Sequence, residues 1–196
     1  MANFEVIAAV SQTLKAVLTR AIEKGVAGVK VGFLIPDEPP SDPTLTLFLF
    51  EVGEDPSARN RPRVVNPRLP NLTIQKPPVA LLLRYLMTAW GRDAETQQKI
   101  LGLTIQALYD KAIISGPDLE INDVNSVLEG TDEALKVTLS PLSLEERTRV
   151  WHAVQKPYRL SVAYEVRVVN LDSTEGERRK PVTRRSLDFE GVEVTT

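Results

Sequence analysis

The chain contains no cysteine and a single histidine, His152. The absence of cysteine excludes disulfide bonds, thiol nucleophiles and thiolate metal sites. One histidine is too few for a metal site built on imidazole ligands, and a catalytic triad also needs a nucleophile and an orienting acid. Ser161 lies in the same region of the sequence, but it falls inside a strand pattern. We therefore expect His152 to be a structural or surface residue.

Glycine-rich nucleotide-binding motifs are missing as well. The sequence has neither the P-loop pattern nor the Gly-x-Gly-x-x-Gly turn of dinucleotide-binding domains. The segment 115–133 is acidic, but its carboxylates lack the alternating spacing and the mid-loop glycine of a calcium loop. The sequence thus predicts no enzyme activity, no cofactor and no metal site.

No apolar run is long enough to cross a bilayer. The longest, residues 77–90, is about 14 residues long and contains Arg84. The N-terminus lacks a basic region and carries Glu5 within its apolar pattern, so we expect no signal peptide. The formal net charge of −2 gives no reason to expect nucleic acid or an anionic membrane as a partner. We expect a soluble protein that is made in the cytoplasm and has no membrane span.

The hydrophobic periodicity predicts an α+β fold. Apolar residues spaced three or four positions apart predict helices, which cover residues 3–24, 93–112 and 143–154. We expect Asp93 to cap the second helix, and Ser143 and Glu146 to form a capping box at the start of the third. Alternating or continuous apolar residues predict strands at 29–35, 44–52, 133–139, 158–170 and 182–194. Because these elements show no strict βαβ repeat, we expect one domain over residues 1–185, with a mixed or antiparallel sheet flanked by helices.

Residues 79–88 are ambiguous, because both odd and even positions are apolar. Periodicity alone does not separate a buried strand from a buried helix in such a run. Leucine and methionine favour a helix by intrinsic propensity, and the prolines at 77 and 78 fit the start of either element. On this pattern, both assignments remain open.

Two segments are rich in basic residues. Residues 53–78 lack periodicity and contain many prolines, which predicts a long extended loop within the domain. The candidate interface residues in these segments are Arg59, Arg61, Arg63, Arg68, Arg178, Arg179, Lys180, Arg184 and Arg185. One interpretation is a solvated loop at 53–78 and a charged, solvated turn at 172–180. The other is an electrostatic interface in which the arginines of one subunit meet carboxylates of the next.

The stretch 77–91, followed by residues 97–102, resembles the tail-terminator (cap) family of contractile injection systems, which are phage-tail-like particles. Further similarities are found at residues 107–111, at Trp151 and at residues 157–164, so that the resemblance covers most of residues 3–170. Gln98 and the Lys111–Ala112 pair depart from the histidine and His-Pro expected in many relatives.

The resemblance implies an α+β fold in which residues 79–88 form a strand inside the sheet. It also implies a hexameric ring at the distal end of the particle. Such a ring binds the last sheath and inner-tube rings, stops their polymerisation and holds the distal sheath end. It needs no cofactor. The protein would then be assembled in the cytoplasm as part of a particle and released with it. Nucleic acid is not an expected partner, and no direct membrane span is expected.

Because sheath subunits in such particles exchange strands, the resemblance also directs attention to a C-terminal arm or edge strand, residues 186–196. Its apolar residues are suited to pairing with an exposed sheet edge, and they are Leu187, Phe189, Val192 and Val194. The alternative function is a small adaptor module, without catalysis, that binds an acidic protein through residues 53–76.

Overall fold

The computed structural model describes residues 4–33, 40–59, 62, 64–68, 71–115, 119 and 134–179. It divides into two compact units. The main unit comprises Met1–Asn60 and Pro78–Asp172, and the small unit comprises Arg61–Pro77 and Ser173–Thr196. The predicted domain boundary at residue 185, the strand at 182–194 and the arm at 186–196 lie outside the described residues.

In the part of the main unit that the structure describes, there are three α-helices and six strands. In chain order, its elements are α1 (Val6–Ile22), β1 (Lys30–Gly32), β2 (Thr44–Glu54), β5 (Val79–Trp90), α2 (Ala94–Asp110), β6 (Ile113–Ile114), β7 (Leu135–Leu139), α3 (Leu144–Ala153) and β8 (Ser161–Leu171). The small unit contributes β3 (Val64–Arg68), β4 (Asn71–Gln75) and β9 (Gly176–Arg179). This mixture of helices and strands confirms the predicted α+β class.

The six strands of the main unit form one mixed sheet in the order β1-β2-β5-β8-β7-β6. β1 runs parallel to β2, and every other neighbouring pair is antiparallel. β5 pairs with β2 on one side and β8 on the other, so residues 79–88 are a strand within the sheet. The strand assignment implied by the family resemblance is therefore confirmed.

β5 is apolar on both faces because helices cover both faces of the sheet. Tyr85 and Met87 pack in the core cluster that includes the apolar residues of α1 and α2. Leu86 and Trp90 point to the opposite face, where they pack with Trp151 of α3. Trp90 and Trp151 are 4% and 1% exposed, as expected for core tryptophans.

Local capping signals in the sequence are also confirmed. Asp93 caps α2, and its carboxylate accepts a hydrogen bond of 2.7 Å from the backbone N–H of Thr96. Ser143 and Glu146 form a reciprocal capping box at the start of α3. These contacts satisfy N–H groups that the first helical turn leaves without a partner inside the helix.

The expectation of a long loop over residues 53–78 is wrong for most of that segment. β2 continues to Glu54, Pro56–Ala58 form a short 3-10 helix, and β3 and β4 form an antiparallel pair. Proline is compatible with this arrangement because Pro67 lies in β3, an outer strand of its sheet, where a missing N–H is tolerated. Residues 172–180, expected as a charged turn, contain β9, which pairs with β4.

Candidate interface surfaces

The described residues of the small unit form a three-stranded sheet in the order β3-β4-β9. In its antiparallel register, Val65 lies opposite Ile74, and Ile74 lies opposite Glu177. The sheet joins the two basic segments of the sequence, because β3 and β4 come from the first and β9 from the second. Nothing in the local pattern of either segment indicates this pairing.

The predicted interface residues fall into three groups. Arg68 lies in β3, and Arg178 and Arg179 lie in β9, so the small sheet brings these three positions together. Arg59 belongs to the main unit, where its Nε atom lies 3.1 Å from a Glu54 carboxylate oxygen. The remainder are outside the described residues: Arg61, Arg63, Lys180, Arg184, Arg185, Leu187, Phe189, Val192 and Val194.

Two exposed ion pairs are formed within the small unit. The ammonium of Lys76 lies 2.8 Å from a carboxylate oxygen of Glu175, and its hydrogen bond lowers the pKa of that carboxyl group. Nη2 of Arg179 lies 2.9 Å from a carboxylate oxygen of Glu177. All four side chains are more than 60% exposed, so water and salt screen both pairs.

None of the side chains that the structure describes in the small unit is buried. Val65 is 52% exposed, and its cross-strand neighbour Ile74 is only partly buried. β3 and β9 each have a neighbour on one side only within this sheet. Among the described residues, Val65 thus contributes exposed apolar surface, and β3 and β9 are the outer strands of this sheet.

The two units differ in net charge. The small unit contains nine basic and five acidic residues, a net charge of +4, which leaves −6 for the main unit. The net charge of −6 in the main unit equals the charge of residues 118–133, which contain six carboxylates and no basic residue. In the sequence, positive and negative charge are thus concentrated in different segments.

The main unit also contains an ion network that the sequence pattern does not reveal. Nε of Arg84 lies 3.0 Å from one oxygen of Glu165, and its Nη1 lies 2.9 Å from Glu51. Nη2 of Arg167 lies 2.9 Å from the other oxygen of Glu165. Burial raises the pKa of Glu165, but the hydrogen bond from Arg167 and the charge of Arg84 outweigh it and hold this pKa below its usual value.

This network joins residues that are distant in the sequence. Glu51 and Glu165 are separated from Arg84 by 33 and 81 positions, and the strand register places both beside it. Arg84 was recognisable only as an interruption of an apolar run, so its partners could not be read from spacing. Since all four charges are matched within the network, we interpret it as a structural feature.

The sequence offers one histidine, His152, as a candidate for chemistry. His152 is exposed on α3, as expected from the sequence. Among the described residues, no group of three or more histidine, cysteine, aspartate or glutamate side chains is arranged to hold a metal ion. No helix in the described part of the chain has the length and apolar character needed to cross a membrane.

The model of the Pvc16 N-terminal domain family matches residues 9–185. No curated protein matches the chain.

Two solved structures have a similar fold. The first is the sheath/tube terminator of PVC, an extracellular contractile injection system, in its extended state; the TM-score is 0.67 at 21% identity over 97% of this chain and 65% of that chain. The second is the tube-terminating cap of the anti-feeding prophage, with a TM-score of 0.67 at 20% identity over 92% of this chain and 60% of that chain. The chain thus spans less than two thirds of either protein, and the similarity shows a shared fold.

Proposed function

The chain belongs to the Pvc16 N-terminal domain family, and on that premise we propose that it caps a contractile, phage-tail-like injection particle by ending the polymerisation of its inner tube and sheath. The observation that carries this proposal is the family match over residues 9–185. It is supported by a fold shared with two proteins that terminate such tubes.

Tube termination is a binding function and requires no reaction. A stacked tube grows through contacts between unlike surfaces, and these contacts do not close on themselves. A terminator has to present one face that matches the last ring and one face that does not. A small α+β domain repeated in a ring meets this requirement, so we propose that the protein acts without catalysis and without a cofactor.

We propose a hexameric ring as the working form, with sheath and inner-tube proteins as its partners. The separation of positive and negative charge supports self-association, since unlike charges in different parts of one chain favour head-to-tail contacts between copies. Light scattering at low and moderate salt tests the ring, and a protein that stays monomeric in both conditions would contradict it.

The C-terminal residues 186–196 are proposed to pair with sheath or with a neighbouring subunit as an added strand. The spacing of Leu187 and Phe189, and of Val192 and Val194, supports this, because alternate residues of a strand share one face. The particle would be assembled in the cytoplasm and released together with its cap.

The direct test is to produce tube and sheath proteins with and without this chain and to measure particle lengths by electron microscopy. We expect a broad distribution of lengths and open tube ends without the chain. Adding the purified chain during assembly is the matched control, because it separates loss of the cap from poor production of the other components. Particles of uniform length without the chain would contradict the cap function and favour an adaptor role.

A further inference from the structure

We propose that the cleft between α1 and α2 binds an acidic segment of a partner protein, in which carboxylates flank aliphatic side chains. The cleft is formed entirely by described residues of the main unit. The inference goes beyond the cap function and does not depend on it, because it assigns a binding site to one place in the fold and a chemistry to its ligand.

The cleft lies where the C-terminal halves of the two helices come together. Val17 of α1 and Leu103 of α2 mark its start along each helix, and Lys24 and Lys111 mark its end. Its volume is about 530 Å³. Pockets that bind ligands have volumes of roughly 300–1,000 Å³, so this cleft is large enough to receive several side chains.

The floor of the cleft is apolar. It consists of Val17 and Ala21 from α1, and of Leu103 and Ala107 from α2. Val17 is buried and the other three are partly buried, so an aliphatic side chain that entered the cleft would leave water for apolar contacts. A Cβ atom on Gly25 would lie only 2.7 Å from Cδ1 of Leu103, so glycine at this position permits the close approach that fixes one end of the floor.

The rim of the cleft carries more positive than negative charge. Arg20 and Lys24 are exposed and lie four positions apart at the end of α1, and the end of α2 adds Lys111 and one carboxylate, Asp110. Within the part of the chain that the structure describes, neither Arg20 nor Lys24 forms an ion pair. Like charges at this spacing at a helix end repel each other. A partner's carboxylate beside them would be attracted by both and would offset that repulsion.

Floor and rim together select the ligand. A free inorganic anion would use the cations and leave the apolar floor in contact with water, whereas an uncharged aliphatic segment would leave Arg20 and Lys24 unmatched. Nucleic acid is a poorer match, because the lining includes Asp110 and no aromatic side chain on which a base could stack. An acidic segment with aliphatic residues complements both parts of the cleft.

Fluorescence anisotropy of labelled peptides, titrated with the purified full chain, tests the inference. The probe is a short peptide in which leucines are flanked by glutamates; one control peptide has lysine in place of each glutamate, and the other has serine in place of each leucine. We expect saturable binding of the leucine–glutamate peptide and at least tenfold weaker binding of both controls. Absence of saturable binding up to about 1 mM would overturn the inference. Equal binding of the serine–glutamate peptide would show attraction by charge alone and would also overturn it.

Charge reversal tests the location of the site. We expect the double variant Arg20→Glu and Lys24→Glu to raise the Kd of the leucine–glutamate peptide at least tenfold and to bind the leucine–lysine peptide instead, because the charges are again complementary. The matched control is the double variant Lys99→Glu and Arg149→Glu, which changes the net charge equally at two exposed positions outside the cleft. An equal loss of binding in the control, or none in the cleft variant, would contradict the assigned site.

A larger side chain on the floor tests the apolar contact. We expect Ala107→Leu to weaken binding of the leucine–glutamate peptide at least fivefold, because the added atoms occupy the space proposed for its leucine. Circular dichroism and Tm check that the variant is folded. A folded Ala107→Leu protein that binds like the wild type would contradict the use of the floor, and the charge-reversal pair tests the site without changing it.

The outcomes separate this inference from the proposed function. Absence of peptide binding by a chain that still gives particles of uniform length would overturn the inference and leave the cap function intact. Peptide binding that follows the cleft variants, by a chain without effect on particle length, would support the inference and contradict the cap function.

Discussion

Nε of Arg84 in β5 lies 3.0 Å from a carboxylate oxygen of Glu165 in β8. Nη1 of the same guanidinium also contacts Glu51 in β2 at 2.9 Å, so one side chain links three neighbouring strands. Glu165 is 7% exposed, and a carboxylate that is so largely removed from water depends on its partners. A one-residue shift between β5 and β8 would move Arg84 to the opposite face, and the pair therefore favours a single strand register.

We expect Glu165→Gln to lower the free energy of unfolding by about 1–3 kcal/mol at neutral pH, because hydrogen bonds to Arg84 and Arg167 lose their charged acceptor. The partners hold the pKa of Glu165 below its unfolded value. Their stabilisation is therefore present above the unfolded pKa and is lost as the pH falls through the folded pKa. Urea unfolding at pH 7 and pH 3 should show a smaller difference between wild type and variant at pH 3.

The matched control is Glu145→Gln, which removes the charge of an exposed carboxylate that pairs with Arg149 within α3. Screening by water should leave the stability of this variant close to that of the wild type. A Glu165→Gln protein as stable as the control at neutral pH would show that the network contributes nothing.

The hydroxyl of Tyr85 lies 2.8 Å from Oγ of Ser11 and joins β5 to α1. We expect Tyr85→Phe to lower the free energy of unfolding by about 1 kcal/mol at pH 7, because Ser11 loses one hydrogen-bond partner. Urea unfolding measures this difference. Tyr109→Phe is the control, since Tyr109 is 82% exposed and its change should have no effect.

The stability difference between Tyr85→Phe and the wild type should also change at alkaline pH. Burial raises the pKa of Tyr85 to about 12, and the hydrogen bond with Ser11 only partly opposes this shift. The stability that depends on the neutral phenol is complete below the unfolded pKa, near 10, and is lost as the pH rises through 12. Between pH 10 and pH 12, ionisation of Tyr85 should therefore lower the free energy of unfolding of the wild type by roughly 2–3 kcal/mol. The Phe variant should then equal or exceed the wild type near pH 12, and a constant difference at all pH values would contradict the prediction.

Elements whose signals are local could be predicted from the sequence, and elements that depend on distant pairing could not. The capping box of Ser143 and Glu146 and the helix that follows it were read correctly, because the cap and the helix lie within a few residues of each other. β5 was ambiguous because both of its faces are covered, one by α1 and α2 and the other by α3, and α1 and α3 are distant from it in sequence. Only the family resemblance resolved that ambiguity.

The small sheet was missed for a related reason. Prolines suggested a loop over residues 53–78, and the charges of residues 172–180 suggested a turn. β4 and β9 pair with each other, although β5, α2, β6, β7, α3 and β8 separate them along the chain. The arginines were recognised as a candidate interface, but their common sheet was not.

The backbone at the end of α3 offers a stabilising substitution. Gln155 has φ of 56°, a left-handed conformation that favours glycine. Its N–H donates to His152 O at 3.0 Å, and the next N–H, of Lys156, donates to Trp151 O at 3.1 Å, which is the Schellman pattern of a helix end. We expect Gln155→Gly to raise the free energy of unfolding by about 1 kcal/mol and to increase Tm. Gly28→Ala is the control in the opposite direction, because Gly28 has φ of 77° and an alanine there should lower Tm. A lower Tm for Gln155→Gly would contradict the strain argument.

Deletion of residues 186–196 tests the proposed C-terminal arm. We expect the shortened protein to keep the helix and strand content and the Tm of the full chain, because every described element ends before residue 180. Sheath attachment should weaken, since the apolar residues that would pair with a sheet edge are removed. Electron microscopy of particles assembled with the shortened chain measures the fraction with sheath attached to the cap.

Substitution within the arm supplies the control for this deletion. Changing Leu187 and Phe189 to serine should reproduce the weaker attachment, because both residues lie on the face proposed to pack against the partner. Changing the intervening Asp188 and also Glu190 to alanine should leave attachment close to normal. Full-length particles with normally attached sheath after the deletion would exclude the arm as the contact and leave sheath binding to the folded part of the chain.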